Sequence, residues 1–146
     1  MSLNAQTHDK ANKKAKNKDD LLVLTVAKEL LERVLDYTSK SPKSVRYVFS
    51  TRLQNLALDI LTHVFDANEI HYSLDENKYK YRYEMQIKAH RNIRLLILLV
   101  DIAQKADALT STQVKNISTY AVRLNKLLIA WIKSDLKREE ENAKKE

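Results

Sequence analysis

The sequence predicts an all-α protein on three observations. Glycine is absent from the 146 residues and proline occurs once, whereas sheets and hairpins normally need turns built from these residues. Four segments repeat apolar residues every three or four positions, the spacing that places them on one face of a helix. The connections between these segments are short, which is typical of an antiparallel up-down four-helix bundle.

The domain organisation follows from where this periodicity begins and ends. Residues 1–18 are polar and lysine-rich, so we expect a disordered basic tail. Residues 19–137 form the predicted bundle. Residues 138–146 are mostly charged, and we expect them to fray as a C-terminal tail.

The first predicted helix runs from Asp19 to Ser39. Asp19 and Asp20 suit the positive N-terminus of a helix. The apolar stripe of this helix comprises Val23, Ala27, Leu30, Val34 and Tyr37.

The second predicted helix starts at Ser41-Pro42 and runs to about Ile70. We expect serine to act as the N-cap and proline to occupy the first helical position, where its missing N–H costs nothing. The main stripe comprises Val45, Phe49, Leu53, Leu56, Ile60, Val64 and Ala67. Three further apolar residues fall outside this stripe: Leu58, Leu61 and Phe65. Apolar residues outside the main stripe predict a second surface that is buried by something other than the core of the same chain.

The third predicted helix follows a polar loop, His71–Asn77, and runs from Lys78 to Asp107. Its stripe comprises Ala89, Ile93, Leu96, Val100 and Ala103. Four more apolar residues lie outside that stripe: Leu95, Leu98, Leu99 and Ile102. A helix that is apolar on both sides must be buried on both sides. We therefore predict a homo-oligomer whose interface uses these residues together with those outside the stripe of the second helix.

The fourth predicted helix begins at Thr110, which has capping-box spacing to Gln113. Its stripe is the most regular in the chain and comprises Val114, Ile117, Ala121, Leu124, Leu128 and Trp131. We expect Trp131 to anchor the core rather than to serve a binding site.

The positive charge is concentrated in one stretch. The whole chain carries a formal charge of +7, and residues 78–94 hold six basic groups against Glu84, a local +5 that leaves +2 for the rest. This concentration favours binding of a polyanion, with a solvated surface as the alternative. The candidate contacts to nucleic acid or a protein partner are Lys78, Lys80, Arg82, Lys88, Arg91 and Arg94 on the third helix and Arg123, Lys126 and Lys133 on the fourth.

Tyrosines alternate with cations at the start of this stretch, at Tyr79, Tyr81 and Tyr83. Bases can stack on aromatic rings in a basic groove. On a helix these three rings point to different faces, so we favour packing against a neighbouring helix or subunit.

Several kinds of chemistry lack the residues that they need. Without cysteine there is no thiol nucleophile and no cysteine zinc site, and without glycine there is no phosphate-cradling loop. Asp59, His63 and Asp66 could share one helix face, but the paired Glu-x-x-His motifs of di-iron bundles are missing. We therefore expect no catalytic residue, metal or cofactor.

The expected location is the cytoplasm. No secretory h-region precedes Leu21, and the absence of cysteine suits a reducing compartment. The apolar run Leu95–Val100 is far shorter than the roughly 20 residues that span a bilayer, so we expect no membrane association.

The order of these helices, from about Leu21 to Ser134, resembles a bacterial four-helix-bundle family. That family includes the proteins encoded by intervening sequences of 23S rRNA genes and the accessory variability determinants of diversity-generating retroelements. The matching stretches are Pro42-Lys43-Ser44, Phe49, Arg52 and Leu56-Ala57-Leu58-Asp59, then Arg91-Asn92-Ile93-Arg94-Leu95-Leu96, and finally Arg123 to Lys133, which contains Trp131. The Ala-Glu-Gly motif of the rRNA branch is missing, since Phe65–Ile70 reads F-D-A-N-E-I. The retroelement branch is therefore the nearer resemblance, although the family commonly has glycine where this chain has Ile129 and Ala130.

The resemblance implies a homo-oligomeric barrel, typically a pentamer, with a positive surface. It implies a non-catalytic accessory subunit that binds the reverse transcriptase of the retroelement and nucleic acid, RNA or DNA, without sequence specificity, and so supports mutagenic cDNA synthesis. The alternative is a structural interaction protein of the 23S rRNA intervening-sequence type with no nucleic-acid role. An enzyme without a recognisable motif is a third hypothesis.

Overall fold

The computed structural model describes residues 22–70 and 75–145, and this part of the chain is entirely helical. It contains four α-helices: α1 (22–39), α2 (Thr51–Glu69), α3 (Glu76–Lys105) and α4 (Ser111–Lys144). No strand occurs within the described residues. The all-α prediction is therefore confirmed, whereas the expected tail 1–18 and most of the loop 71–77 lie outside the described residues.

One apolar core joins the four helices, and the predicted stripes supply most of it. The stripes of α3 and α4 are buried along their length apart from Val114, which is half-buried. In the first two predicted stripes only Tyr37, Val45 and Phe49 remain half-buried, and they pack against the core. Burial of such stripes drives folding because it removes apolar surface from water.

The connection between α1 and α2 differs from the predicted continuous helix. It consists of a short 3₁₀ turn, Lys43–Val45, followed by a π-helical turn, Arg46–Ser50. Ser41 does not cap a helix, which corrects the prediction, because its hydroxyl donates a hydrogen bond to the carbonyl of Ala108, 2.8 Å away. This bond holds the first connection against the turn between α3 and α4.

The turn after α3 shows how a chain without glycine ends a helix. Asp107 adopts a φ of 59°, the left-handed conformation that glycine usually supplies after a helix. The N–H of Ala108 then donates to the carbonyl of Ala103 at 2.8 Å, which satisfies one of the free carbonyls of the last turn. Aspartate tolerates this conformation better than most residues.

The helix α4 begins as predicted and continues further than predicted. The Thr110 side chain accepts from the N–H of Gln113 at 3.2 Å, and the Gln113 side chain accepts from the N–H of Thr110 at 3.0 Å. The capping box is thus confirmed. α4 remains helical to Lys144, beyond the predicted bundle boundary at residue 137.

Candidate nucleic-acid interface

Eight of the nine predicted contact residues lie on the surface. The exposed residues are Lys78, Lys80, Lys88, Arg91 and Arg94 on α3 and Arg123, Lys126 and Lys133 on α4. The ninth, Arg82, is buried, with 4% of its surface exposed. The prediction that Arg82 belongs to the basic surface is therefore wrong.

A bidentate ion pair with Asp135 of α4 is the reason for the burial of Arg82. The Arg82 Nε donates to Oδ2 of Asp135 at 2.7 Å, and Nη2 donates to Oδ1 at 3.1 Å. The third guanidinium nitrogen, Nη1, donates to the carbonyl of Ile70 at 2.8 Å. Two parallel bonds to a carboxylate are among the strongest side-chain contacts, so Arg82 joins α3 to α4 and to the end of α2.

Two more side chains complete this buried cluster. Gln86 donates through Nε2 to Asp135 at 3.0 Å, and the guanidinium carbon of Arg82 lies 4.7 Å from the ring centre of Trp131. Burial also raises the pKa of the nearby Tyr79 phenol, and the Asp135 carboxylate adds to that rise. The prediction that Trp131 packs in the core is confirmed, since it is buried there.

A signal for this cluster was present in the sequence. Asp135 lies four residues after Trp131 and so continues the apolar stripe of α4. An acid at such a position needs a cation or hydrogen-bond donors, because a buried unpaired charge is strongly unfavourable. The position of Asp135 on the apolar stripe predicts that it pairs with a buried cation or donor, but the sequence alone does not identify that partner.

Over residues 111–137, the outer face of α4 carries cations and no exposed acid, whereas Glu140 and Glu141 are exposed nearer the end of the helix. Five basic residues lie between residues 111 and 137, and the single acid in that span is Asp135. Since Asp135 is buried against Arg82, the exposed surface of this span has no acid of its own. The five cations of this α4 face are Lys115, Arg123, Lys126, Lys133 and Lys137.

Part of the α4 face borders an open concavity of about 500 Å³. Its described lining comprises Lys115, Ser118, Thr119, Val122, Arg123 and Lys126. The Thr119 hydroxyl donates to the Lys115 carbonyl at 2.8 Å, which leaves its oxygen as an acceptor only. The three cations make no ion pair with any described residue. The charges at this concavity are therefore free to meet an anion.

The predicted oligomer-interface residues divide into two groups. Leu58, Phe65, Leu98 and Ile102 are exposed, and Leu98 is the most exposed of them at 64%. Leu61, Leu95 and Leu99 are half-buried and pack against the core of the same chain. The exposed group is apolar surface that the described part of this chain leaves uncovered.

The described residues form neither a metal-binding cluster nor a membrane-spanning helix. No group of three or more acidic or histidine side chains there is placed to hold a metal ion. No described helix combines the length and apolar character needed to cross a membrane.

No protein-family model matches the sequence, and neither does any curated protein. The resemblance to the retroelement accessory proteins therefore depends on the residues quoted above.

Proposed function

We propose that this protein is a non-catalytic accessory subunit of a diversity-generating retroelement. It binds nucleic acid through a basic surface and binds the reverse transcriptase of the element in the cytoplasm. The α4 face, with five exposed cations and no exposed acid over residues 111–137, is the observation that carries the nucleic-acid part of this proposal. The proposal that it binds a reverse transcriptase is based on the family resemblance.

The electrostatic argument predicts a sequence-independent mode of binding. Lysine and arginine that contact phosphates release condensed counterions, so affinity falls steeply as salt rises. The exposed cations of α3 extend the same interaction, although Glu84 is also exposed among them. Such contacts position a polynucleotide without reading its bases.

We propose that the helices form an antiparallel up-down bundle. Two contacts support an antiparallel arrangement of α3 and α4. Arg82, near the start of α3, bonds to Asp135, near the end of α4. Closer to the middle of both helices, Nδ1 of His90 lies 2.7 Å from Oδ1 of Asn125. The residue number of the α4 partner falls as the residue number on α3 rises, which is the pattern of two antiparallel helices.

We also propose that the subunits assemble into a homo-oligomeric barrel, a pentamer by the family resemblance. The exposed leucine, isoleucine and phenylalanine side chains on α2 and α3 support self-association, because burial of exposed apolar surface between subunits is favourable in water. If light scattering shows a monomer at micromolar concentration at both low and high salt, the proposed oligomer is contradicted. The double substitution Leu98→Glu and Ile102→Glu is expected to dissociate the oligomer without loss of helicity.

The same exposed apolar side chains favour a second candidate function. The protein would then be a structural bundle that joins protein partners and has no nucleic-acid role. This hypothesis predicts partners that survive nuclease treatment and no salt-dependent binding of polynucleotides.

The decisive experiment measures the affinity for a duplex at several salt concentrations. The triple variant Lys115→Ala, Arg123→Ala and Lys126→Ala removes three cations of the α4 face. Because each phosphate contact contributes about 0.9 to the slope of log affinity against log salt, the slope is expected to fall by about 2 to 3. The affinity at low salt falls with it.

A matched control removes the same charge elsewhere. Lys28, Lys40 and Lys105 each pair with an acid four residues away, at 3.9, 3.6 and 3.5 Å. Their triple alanine variant changes the net charge equally but is expected to leave the salt slope close to that of the wild type. Equal losses in both variants would show that only net charge matters, and an unchanged α4 variant would remove this face from the interface.

A further inference from the structure

The turn between α1 and α2 presents an aromatic ring to solvent. Tyr47 is 92% exposed and the adjacent Val48 is 67% exposed. Both belong to the π-helical turn Arg46–Ser50. Turns of this kind are often found at functional sites, and a large ring that is almost wholly exposed contributes nothing to the core.

Hydrogen bonds on both sides hold this turn in place. The Ser41 hydroxyl anchors it to Ala108 at 2.8 Å, and Arg46 Nε donates to the carbonyl of Ser41 at 3.2 Å. The Thr51 hydroxyl donates to the carbonyl of Arg46 at 3.2 Å. Tyr47 is therefore presented by a fixed scaffold, and preorganised groups lose less entropy when they bind.

The charged residues close to Tyr47 in the sequence are all cations. Residues 40–58 contain four cations and no acid. Lys40 is paired with Asp36, whereas Lys43, Arg46 and Arg52 make no ion pair with a described residue. Lys43, Arg46 and Arg52 all lie within five residues of Tyr47 in the sequence, and all three are exposed.

The other described rings near the basic surfaces are engaged or half-covered. Tyr79 and Tyr83 stack on each other with their centres 6.3 Å apart, and the Tyr120 hydroxyl accepts from Arg33. Trp131 is buried under Arg82. Tyr81 is half exposed, with Glu84 one turn away on α3. Tyr47 thus combines the greatest exposure among these rings with nearby charges in the sequence that are all cations.

We propose that Tyr47 is a stacking platform for an unpaired base of single-stranded nucleic acid, with Lys43, Arg46 and Arg52 contacting the flanking phosphates. Aromatic rings within a basic surface bind single strands in this way, and arginine adds cation–π attraction. This inference rests on the proposed nucleic-acid function and refines it. The α4 face binds phosphates of any strand, whereas the Tyr47 turn selects unpaired bases.

The test compares three labelled probes by fluorescence anisotropy: a short single-stranded RNA, an abasic strand of the same length, and a duplex. Tyr47→Ala is expected to weaken binding of the single strand about tenfold, the usual effect of losing one stacked base. Binding of the abasic strand and the duplex stays unchanged, because those probes offer no unpaired base. Tyr47→Phe keeps the ring and retains wild-type affinity.

Val48→Ala is the matched control, since it shortens an exposed apolar neighbour without removing a π-face. Wild-type affinity of Tyr47→Ala for the single strand overturns the inference while leaving the proposed function intact. Equal weakening on all three probes also overturns it, because the effect then does not depend on a base. A selective Tyr47 effect that persists in the α4 triple variant supports the inference even if duplex binding by α4 fails, and binding of none of the probes contradicts both proposals.

Discussion

The first half of α3 and the outer face of α4 are both basic in sequence, but their surfaces differ in the folded protein. The Arg82–Asp135 pair removes a cation from α3 and the single acid of residues 111–137 from α4. The surface of α3 keeps the exposed Glu84, whereas the α4 face keeps only cations over residues 111–137. This one buried contact therefore lowers the positive charge on the surface of α3 and removes the acid from the α4 face.

This comparison teaches that the charge of a segment is not the charge of its surface. The local sum of +5 over residues 78–94 placed the polyanion site mainly on α3. Pairing between residues 53 positions apart moves the stronger candidate to α4. The position of each charged residue relative to the apolar stripe decides whether it reaches solvent.

The largest expected effect comes from breaking the pair that separates the two surfaces. Asp135→Ala leaves the Arg82 guanidinium buried without its carboxylate and also removes the acceptor of Gln86. Loss of one partner of a buried pair typically costs about 3–5 kcal/mol. We expect a loss of that size in the free energy of unfolding, measured by urea denaturation.

A double variant tests whether the loss comes from the unpaired charge. Replacing both partners, Arg82→Met with Asp135→Leu, is expected to recover part of the stability, because apolar residues of similar size can substitute for a buried pair. The buried Gln86 still lacks its acceptor in this variant, so recovery is incomplete. A loss below about 1 kcal/mol in Asp135→Ala would mean that the cluster is not the buried contact described here.

A variant with a smaller expected effect tests whether nucleic-acid affinity depends on the surface charge of α4 or on the stability of this helix. Thr110→Ala removes the N-cap bond to Gln113 and is expected to cost about 1 kcal/mol of unfolding free energy. Since the α4 face is unchanged, the affinity of the folded protein for a duplex should equal that of the wild type. Weaker binding at a temperature where both proteins are folded would instead tie affinity to the stability of the helix.

The smallest effect tests the α3 side of the comparison. Glu84→Gln removes the exposed acid among the cations of α3 and is expected to raise duplex affinity about twofold at low salt, with no gain at high salt. Glu69→Gln, on exposed α2 surface, is the control for removal of one acid. An equal gain in both variants would show that α3 contributes through net charge only.

Much of the fold could be predicted from the sequence. The apolar stripes of the four helices and the capping box at Thr110 depend on residues three or four positions apart, and local periodicity reports such contacts directly. The candidate site was less predictable. Arg82 reads as one more cation in a basic stretch, and only its distant partner removes it from the surface.

The sequence by itself determined that the chain is helical, where its four apolar stripes run, and that it carries an excess of cations. Tertiary structure alone decided that Arg82 is buried, that Ser41 bonds to Ala108 rather than capping a helix, and that Tyr47 stands exposed on a π-helical turn. Helical periodicity and capping are properties of neighbouring residues. Burial of a charge and the path of a connection depend on groups that only the packing of the helices brings together.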